Sequence, residues 1–135
     1  MKVKCLKILQ GGRRNGREIQ SSGSIHIGGE YVVLAMSAHA ADGVSYMLLR
    51  DASASRVAVW PAEMFEITSG KIPSCWHVTS PYDAGAVTVL GPSSWSGSDI
   101  WTLRDSGDKS AAKNIQDAIA VLYREEGEPI PEALI

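Results

Sequence analysis

Between Ile25 and Thr68 the apolar residues keep the two-residue period of a pleated strand, and no helical period fits them. The runs are Tyr31-Val32-Val33-Leu34, Val44-Ser45-Tyr46-Met47-Leu48-Leu49 and Arg56-Val57-Ala58-Val59-Trp60, followed by Phe65-Glu66-Ile67. Gly28-Gly29, Asp42-Gly43 and Asp51 to Ser55 break them, as tight turns in an antiparallel meander do. Pro61 ends the third run by removing a backbone donor, and Ala62-Glu63-Met64 is short enough for one 3₁₀ turn. In this reading Val57 and Val59 point inward and Trp60 outward. Val3 and Cys5 alternate with Lys2, Lys4 and Lys7, which suits an outer strand whose lysines discourage edge pairing.

Ser69-Gly70-Lys71-Ile72-Pro73 interrupts the pattern and divides residues 1–68 from residues 69–135. Trp76-His77-Val78, Ala86-Val87-Thr88-Val89-Leu90 and Ile100-Trp101-Thr102-Leu103 read as further strands. Only Asp108 to Glu126 has helical period: Ala111, Ala112, Ile115, Ala118, Ile119 and Leu122 form one stripe, with Ser106 or Asp108 to cap its start and Gly127 then Pro129 to stop it. The fold class is mainly β with one C-terminal α-helix, the two parts sharing a core. At 135 residues the chain can bury a core without disulfide or metal. Cys5 and Cys75 read as two buried reduced thiols.

Lys2-Val3-Lys4-Cys5, Ile25-His26-Ile27-Gly28-Gly29-Glu30-Tyr31-Val32-Val33-Leu34, Tyr46-Met47-Leu48-Leu49-Arg50-Asp51 and Trp60-Pro61-Ala62-Glu63-Met64-Phe65-Glu66-Ile67 together resemble a pattern found in small bacterial and phage-encoded SH3-like barrel proteins, mostly without assigned function. Glu30 departs from it where Lys is usual, Trp60 takes the place of the aromatic before the proline, and only one Asp follows the second strand. The resemblance covers about half the chain and implies an SH3-like antiparallel barrel over 1–68. The second half, with Ile72-Pro73-Ser74-Cys75-Trp76 and its acidic helix end, resembles small immunity-like proteins that neutralise a toxin by binding it. This implies a bacterial or mobile-element binding protein of immunity or counter-defence type, with no enzyme activity.

The charges fit a binder. The net formal charge is −2, which does not suggest a whole-molecule nucleic-acid binder. Lys2, Lys4, Lys7, Arg13, Arg14 and Arg17 all precede the first acid, Glu18, whereas Glu125, Glu126, Glu128 and Glu132 crowd the other end. The loop Gly11 to Gly23, or a hairpin with Asn15-Gly16 at its tip, presents Arg13, Arg14 and Arg17. With Trp60 and Trp95 these are the expected contact residues, since exposed tryptophan and arginine dominate interface energies. Trp95 lies among small polar residues and is expected at the surface. The expected partner is another protein. Nucleic acid or another acidic partner on the basic loop is the alternative, weakened because no aromatic between Lys2 and Glu30 can stack a base.

A Cys75/His77 hydrolase is a distant alternative: the two share a strand face, but neighbours on one strand rarely aim at each other and no oxyanion-hole motif is nearby. His26, His39 and His77 lie in three segments without zinc-like spacing, so no metal or cofactor is expected. Lysines interrupt the N-terminal run where a signal peptide is apolar, and no run has membrane-spanning length, so a cytoplasmic location and no membrane partner are expected.

Overall fold

The computed structural model of the chain describes residues 1–23, 25–50, 56–79, 87–95 and 99–132. Its strands are β1 (Lys2–Cys5), β2 (Ile8–Leu9), β3 (Glu18–Ile19), β4 (Glu30–Val32), β5 (Ala35–His39), β6 (Gly43–Leu49), β7 (Val57–Pro61), β8 (Phe65–Ser69), β9 (Trp76–Thr79) and β10 (Val87–Pro92). Its helices are α1 (Ile100–Asp105) and α2 (Lys109–Glu125). The 3₁₀ turn at Ala62–Met64 stands between β7 and β8, where the sequence places it. The turn expected at Asp51 to Ser55 lies outside the described residues.

Among the described residues all strand pairs are antiparallel and form three sheets: β4-β1-β8, β7-β6-β5-β10-β9 and the small pair β2-β3. The class is therefore mainly β with one main helix. Among the described residues no sheet closes on itself, so the ladders do not form a closed SH3-like barrel. Two open sheets share one bent run instead. At Val33–Leu34 the chain leaves β4 and enters β5; the Val33 N–H donates to the Met1 carbonyl (3.0 Å) and the Leu34 N–H to the Met47 carbonyl (2.9 Å). Val32, Val33, Leu34 and Ala35 are all buried, which explains why both parities of this run are apolar.

The second half extends the sheet begun in the first. β10 pairs with β5 from Val87↔His39 to Leu90↔Met36, and β9 pairs with β10. The Trp76 indole N–H donates to the Leu34 carbonyl (3.1 Å), so a buried ring from past residue 69 finds its partner at the bend. Ile115, Ile119 and Leu122 of α2 lie in one core cluster with Val3, Val33, Leu34, Leu48 and Met64.

Helix α2 follows its sequence signals closely. The Asp108 side chain accepts from the Ala111 N–H (2.9 Å) and caps the start. At the other end Gly127 N–H donates to Arg124 O and Glu128 N–H to Tyr123 O, the paired bonds of a Schellman stop. Glu125 there accepts from the Ser74 N–H (3.0 Å) and hydroxyl, and Glu126 from the Met1 ammonium (2.5 Å) and the Ser69 hydroxyl (3.1 Å). These bonds tie the helix end to β1 and to the 69–74 connection.

Three expectations are overturned. Ile100-Trp101-Thr102-Leu103 is a helical turn, not a strand: Asp99 caps it by accepting from the Thr102 N–H (3.3 Å) and hydroxyl (2.7 Å), and a four-residue apolar run carries too little period to tell the two states apart. β1 is the middle strand of its sheet, not an outer one. Alternation of lysine reports a face and not an edge; Lys4 stands between Glu30 on β4 and Glu66 on β8, and Lys2 ion-pairs with Glu128 (2.5 Å) and Glu30 (3.2 Å). Finally, Trp60 faces the core and Val59 faces out, at 9 % and 52 % exposure. The inward parity of β7 follows its partner: Trp60 lies opposite Tyr46 and Ala58 opposite Leu48, both buried residues of β6.

Candidate functional site

The basic segment is a held hairpin. Ile8 and Leu9 are buried and anchor it, pairing with Ile19 and Glu18. The Gln10 N–H donates to the Arg17 carbonyl (2.9 Å), and the Gly16 N–H to the Arg13 carbonyl (2.8 Å), which closes a turn over Arg14 and Asn15. The tip is thus at Arg14-Asn15-Gly16, in agreement with the turn signal. Gly12 allows the hairpin to rest on β7: a Cβ built there would lie 3.2 Å from the Trp60 ring. The Arg14 guanidinium donates to the Val44 carbonyl (3.0 Å), and Arg17 Nε to Gln10 Oε1 (2.9 Å). Arg13, Arg14 and Arg17 are exposed, and among the described residues no carboxylate forms an ion pair with any of them. A braced backbone therefore carries three exposed arginines, of which Arg14 reaches back over the start of β6 and Arg17 lies along Gln10.

The two tryptophans do not join them there. Trp60 lies beneath the hairpin as a core residue, so it is not available as an exposed contact. Trp95 is half-buried in the 3₁₀ turn at Ser93–Trp95, with its ring edge-on to Trp101 (5.2 Å between centroids, 74°), and Arg104 stacks over Trp101 at 4.9 Å. Among the described residues the buried indole N–H groups of Trp60 and Trp95 find no hydrogen-bond partner. The aromatic cluster around Trp95 joins α1 to the rest of the fold, a packing role that the loop composition alone does not show.

A concavity of about 500 Å³ runs along α2, lined in part by Cys75, Ser94, Asn114, Asp117 and Val121. Lys113 and Asp117 form an ion pair across one turn (2.5 Å), and Asn114 Nδ2 donates to the Ser94 carbonyl (3.3 Å). Burial, with the Glu125 carboxylate adding to it, pushes the Cys75 thiol above its ordinary value, away from the thiolate that a nucleophile needs. Among the described residues no hydrogen bond joins Cys75 to His77, which is exposed on β9. Cys5 is buried, its thiol likewise pushed up by burial, and it donates weakly to the Lys7 carbonyl (3.4 Å). Both cysteines are free.

Among the described residues no group of three His, Cys, Asp or Glu side chains is placed to hold a metal ion. His26 is taken up by Tyr31, whose hydroxyl lies 3.2 Å from its Nδ1. No helix among the described residues is long and apolar enough to cross a membrane.

One feature had no sequence signal. β7 is an edge of the five-stranded sheet, and the hairpin lies beside it. Which strand ends a sheet depends on pairings between distant segments, so no local pattern points to it. Comparison of the chain with protein-family models, with curated proteins and with solved structures found no match.

Proposed function

We propose that the protein is a non-enzymatic binding protein that holds an acidic surface of another protein through the Arg13, Arg14 and Arg17 hairpin. An immunity or counter-defence role is the biological form we propose for such a stoichiometric binder, acting inside the cell. The observation that carries the reading is the braced hairpin: its backbone bonds and the Arg14 to Val44 contact fix where the guanidinium groups emerge, and no described carboxylate neutralises them. Preorganised arginine forks lose little freedom when they meet carboxylates, which favours them at interfaces. Nucleic acid is the less supported partner, because the ring nearest the hairpin, Trp60, is buried and cannot stack a base.

The test is fluorescence anisotropy with two probes, a labelled polyglutamate peptide and a labelled single-stranded oligonucleotide, titrated at low and high salt. Binding of the peptide that is lost in the R13E/R17E variant supports the proposal. Selective binding of the oligonucleotide with a log–log salt slope near ~2, as three contacts of about 0.7 each would give, replaces it with the nucleic-acid reading. Absence of binding to either probe refutes the role of the hairpin.

A further inference from the structure

We infer that the free edge of β7 takes an extended segment of the partner as an added strand, with side chains that alternate apolar and acidic. The inference rests on the proposed acidic protein partner and specifies how that partner is read. Among the described residues β7 pairs only with β6. The Arg50 N–H donates to the Arg56 carbonyl (2.8 Å), which makes that pair a hydrogen-bonded rung. Rungs recur at every second residue of an antiparallel ladder, so Ala58 and Trp60 bond back to β6. Val57 and Val59 then turn their N–H and C=O groups outward, away from the sheet.

The two sides of this edge differ in chemistry. Val57 and Val59 share one face; Val59 is half exposed and Val57 half-buried, with the half-buried Met47 opposite Val59 on β6. The hairpin lies on the other side, where Gly12 approaches the Trp60 ring and would stand, with a Cβ, 3.7 Å from the Val59 carbonyl. A strand laid along residues 57–59 sets alternate side chains to opposite faces. One set meets Val57 and Val59; the other turns to the Trp60 side, where Gly12 begins the hairpin that carries Arg13, Arg14 and Arg17.

Charge selects both the edge and the occupant. Every outer strand of the two larger sheets has an acid at hand: Glu30 on β4, Glu66 on β8, Glu125 bonded to Ser74 just before β9, and Glu63 just after β7. Among the described residues β7 is the outer strand with the basic hairpin beside it, and the hairpin's three arginines outnumber its acid. A second copy of this chain is a poor occupant, because pairing two β7 edges brings two basic hairpins together. An acidic strand relieves that repulsion and supplies the missing carboxylates.

Three synthetic peptides test the inference on the full chain: one alternating Glu and Val, one of the same composition with its valines clustered, and the alternating peptide N-methylated on its pairing edge. Binding is read by anisotropy, and amide exchange is read at Val57 and Val59. The alternating peptide is expected to bind at least tenfold tighter than either control. It should slow exchange at both amides by at least tenfold and lose tenfold in affinity in R13E/R17E. If the clustered peptide binds equally well and the two amides are unaffected, strand addition is wrong while the acidic-partner proposal stands. If no peptide binds, both are wrong. Equal affinity of the alternating peptide for the R13E/R17E variant overturns the inference by removing the hairpin from it.

Discussion

Ile119→Ala measures whether α2 and the strands of the first half stand on one core. Ile119 is fully buried, in the same cluster as Val33, Leu34 and Leu48. The substitution removes three carbons; at about 0.8 kcal/mol each the transfer loss alone is roughly 2.4 kcal/mol. Because the last turn of α2 is tied to Ser69 and Ser74, the helix cannot close fully over the gap. The cavity left behind then carries the total toward 3–4 kcal/mol, within the 2–5 kcal/mol that buried Ile to Ala changes cost. In a chain of this length each kcal/mol lowers the melting midpoint by about 3–5 °C, so a shift near 10–15 °C is expected. The assay is urea and thermal unfolding followed by tryptophan fluorescence and by far-ultraviolet dichroism. The fluorescence sums over Trp60 and Trp76 in the sheets and Trp95 and Trp101 beside the helices, the dichroism follows secondary structure, and both signals should move together. A loss under about 1 kcal/mol, or a helix signal that melts before the tryptophan signal, would refute the shared core.

Three other outcomes follow. Asp108→Ala removes the acceptor for the Ala111 N–H and should cost about 1 kcal/mol, read as a lower urea midpoint that Asp108→Ser restores in large part. In Gly16→Ala a Cβ would lie 2.5 Å from the Gln10 carbonyl, a backbone atom that cannot rotate away. That clash should open the hairpin at a cost of about 1–3 kcal/mol, seen as rapid cleavage after Arg13 or Arg14 by trypsin while the core still melts cooperatively. Acid should loosen the helix end. The Ser74 bonds hold Glu125 below its ordinary value; burial opposes the charge on Glu126, but the bonds from Met1 and Ser69 outweigh it and hold that carboxyl down too. With folded values depressed, the stabilisation is complete above the unfolded value, about 4.5, and is lost as pH falls below it. Urea midpoints should therefore drop between pH 5 and pH 3, and the drop should be shallower in Glu126→Gln; an unchanged slope would remove Glu126 as a cause.

The parts legible in the sequence are those governed by neighbours along the chain. The β6 to β8 meander, the 3₁₀ turn at Ala62–Met64 and helix α2 with both its stops depend on local period, a proline and capping residues. Failures came where a distant partner decides. β1 is central because β4 and β8 bring Glu30 and Glu66 to either side of Lys4, and nothing near Lys4 announces them. The parity of β7 is set by Tyr46 and Leu48 across the ladder, so Val57 and Val59, although β-branched, are not its inward pair. The α1 turn was marked by Asp99, but a cap weighs little against four apolar residues in a row. In the candidate site the arginines were legible as composition. The edge beside them was not, because β10 reaches β5 from some fifty residues downstream and thereby leaves β7 outermost.

The bend at Val33–Leu34 has a bearing on how tightly a guest can be held. Its amides reach Met1 and Met47, and its Leu34 carbonyl takes the Trp76 indole, so three remote stretches of polypeptide converge on two residues. The bend itself has little freedom left to give up when something docks on the sheet. The incoming strand meets an ordering penalty of about 1–2 kcal/mol for each backbone residue fixed. A loose peptide is thus a weak visitor, and a protein that already presents the same residues stretched out is a strong one.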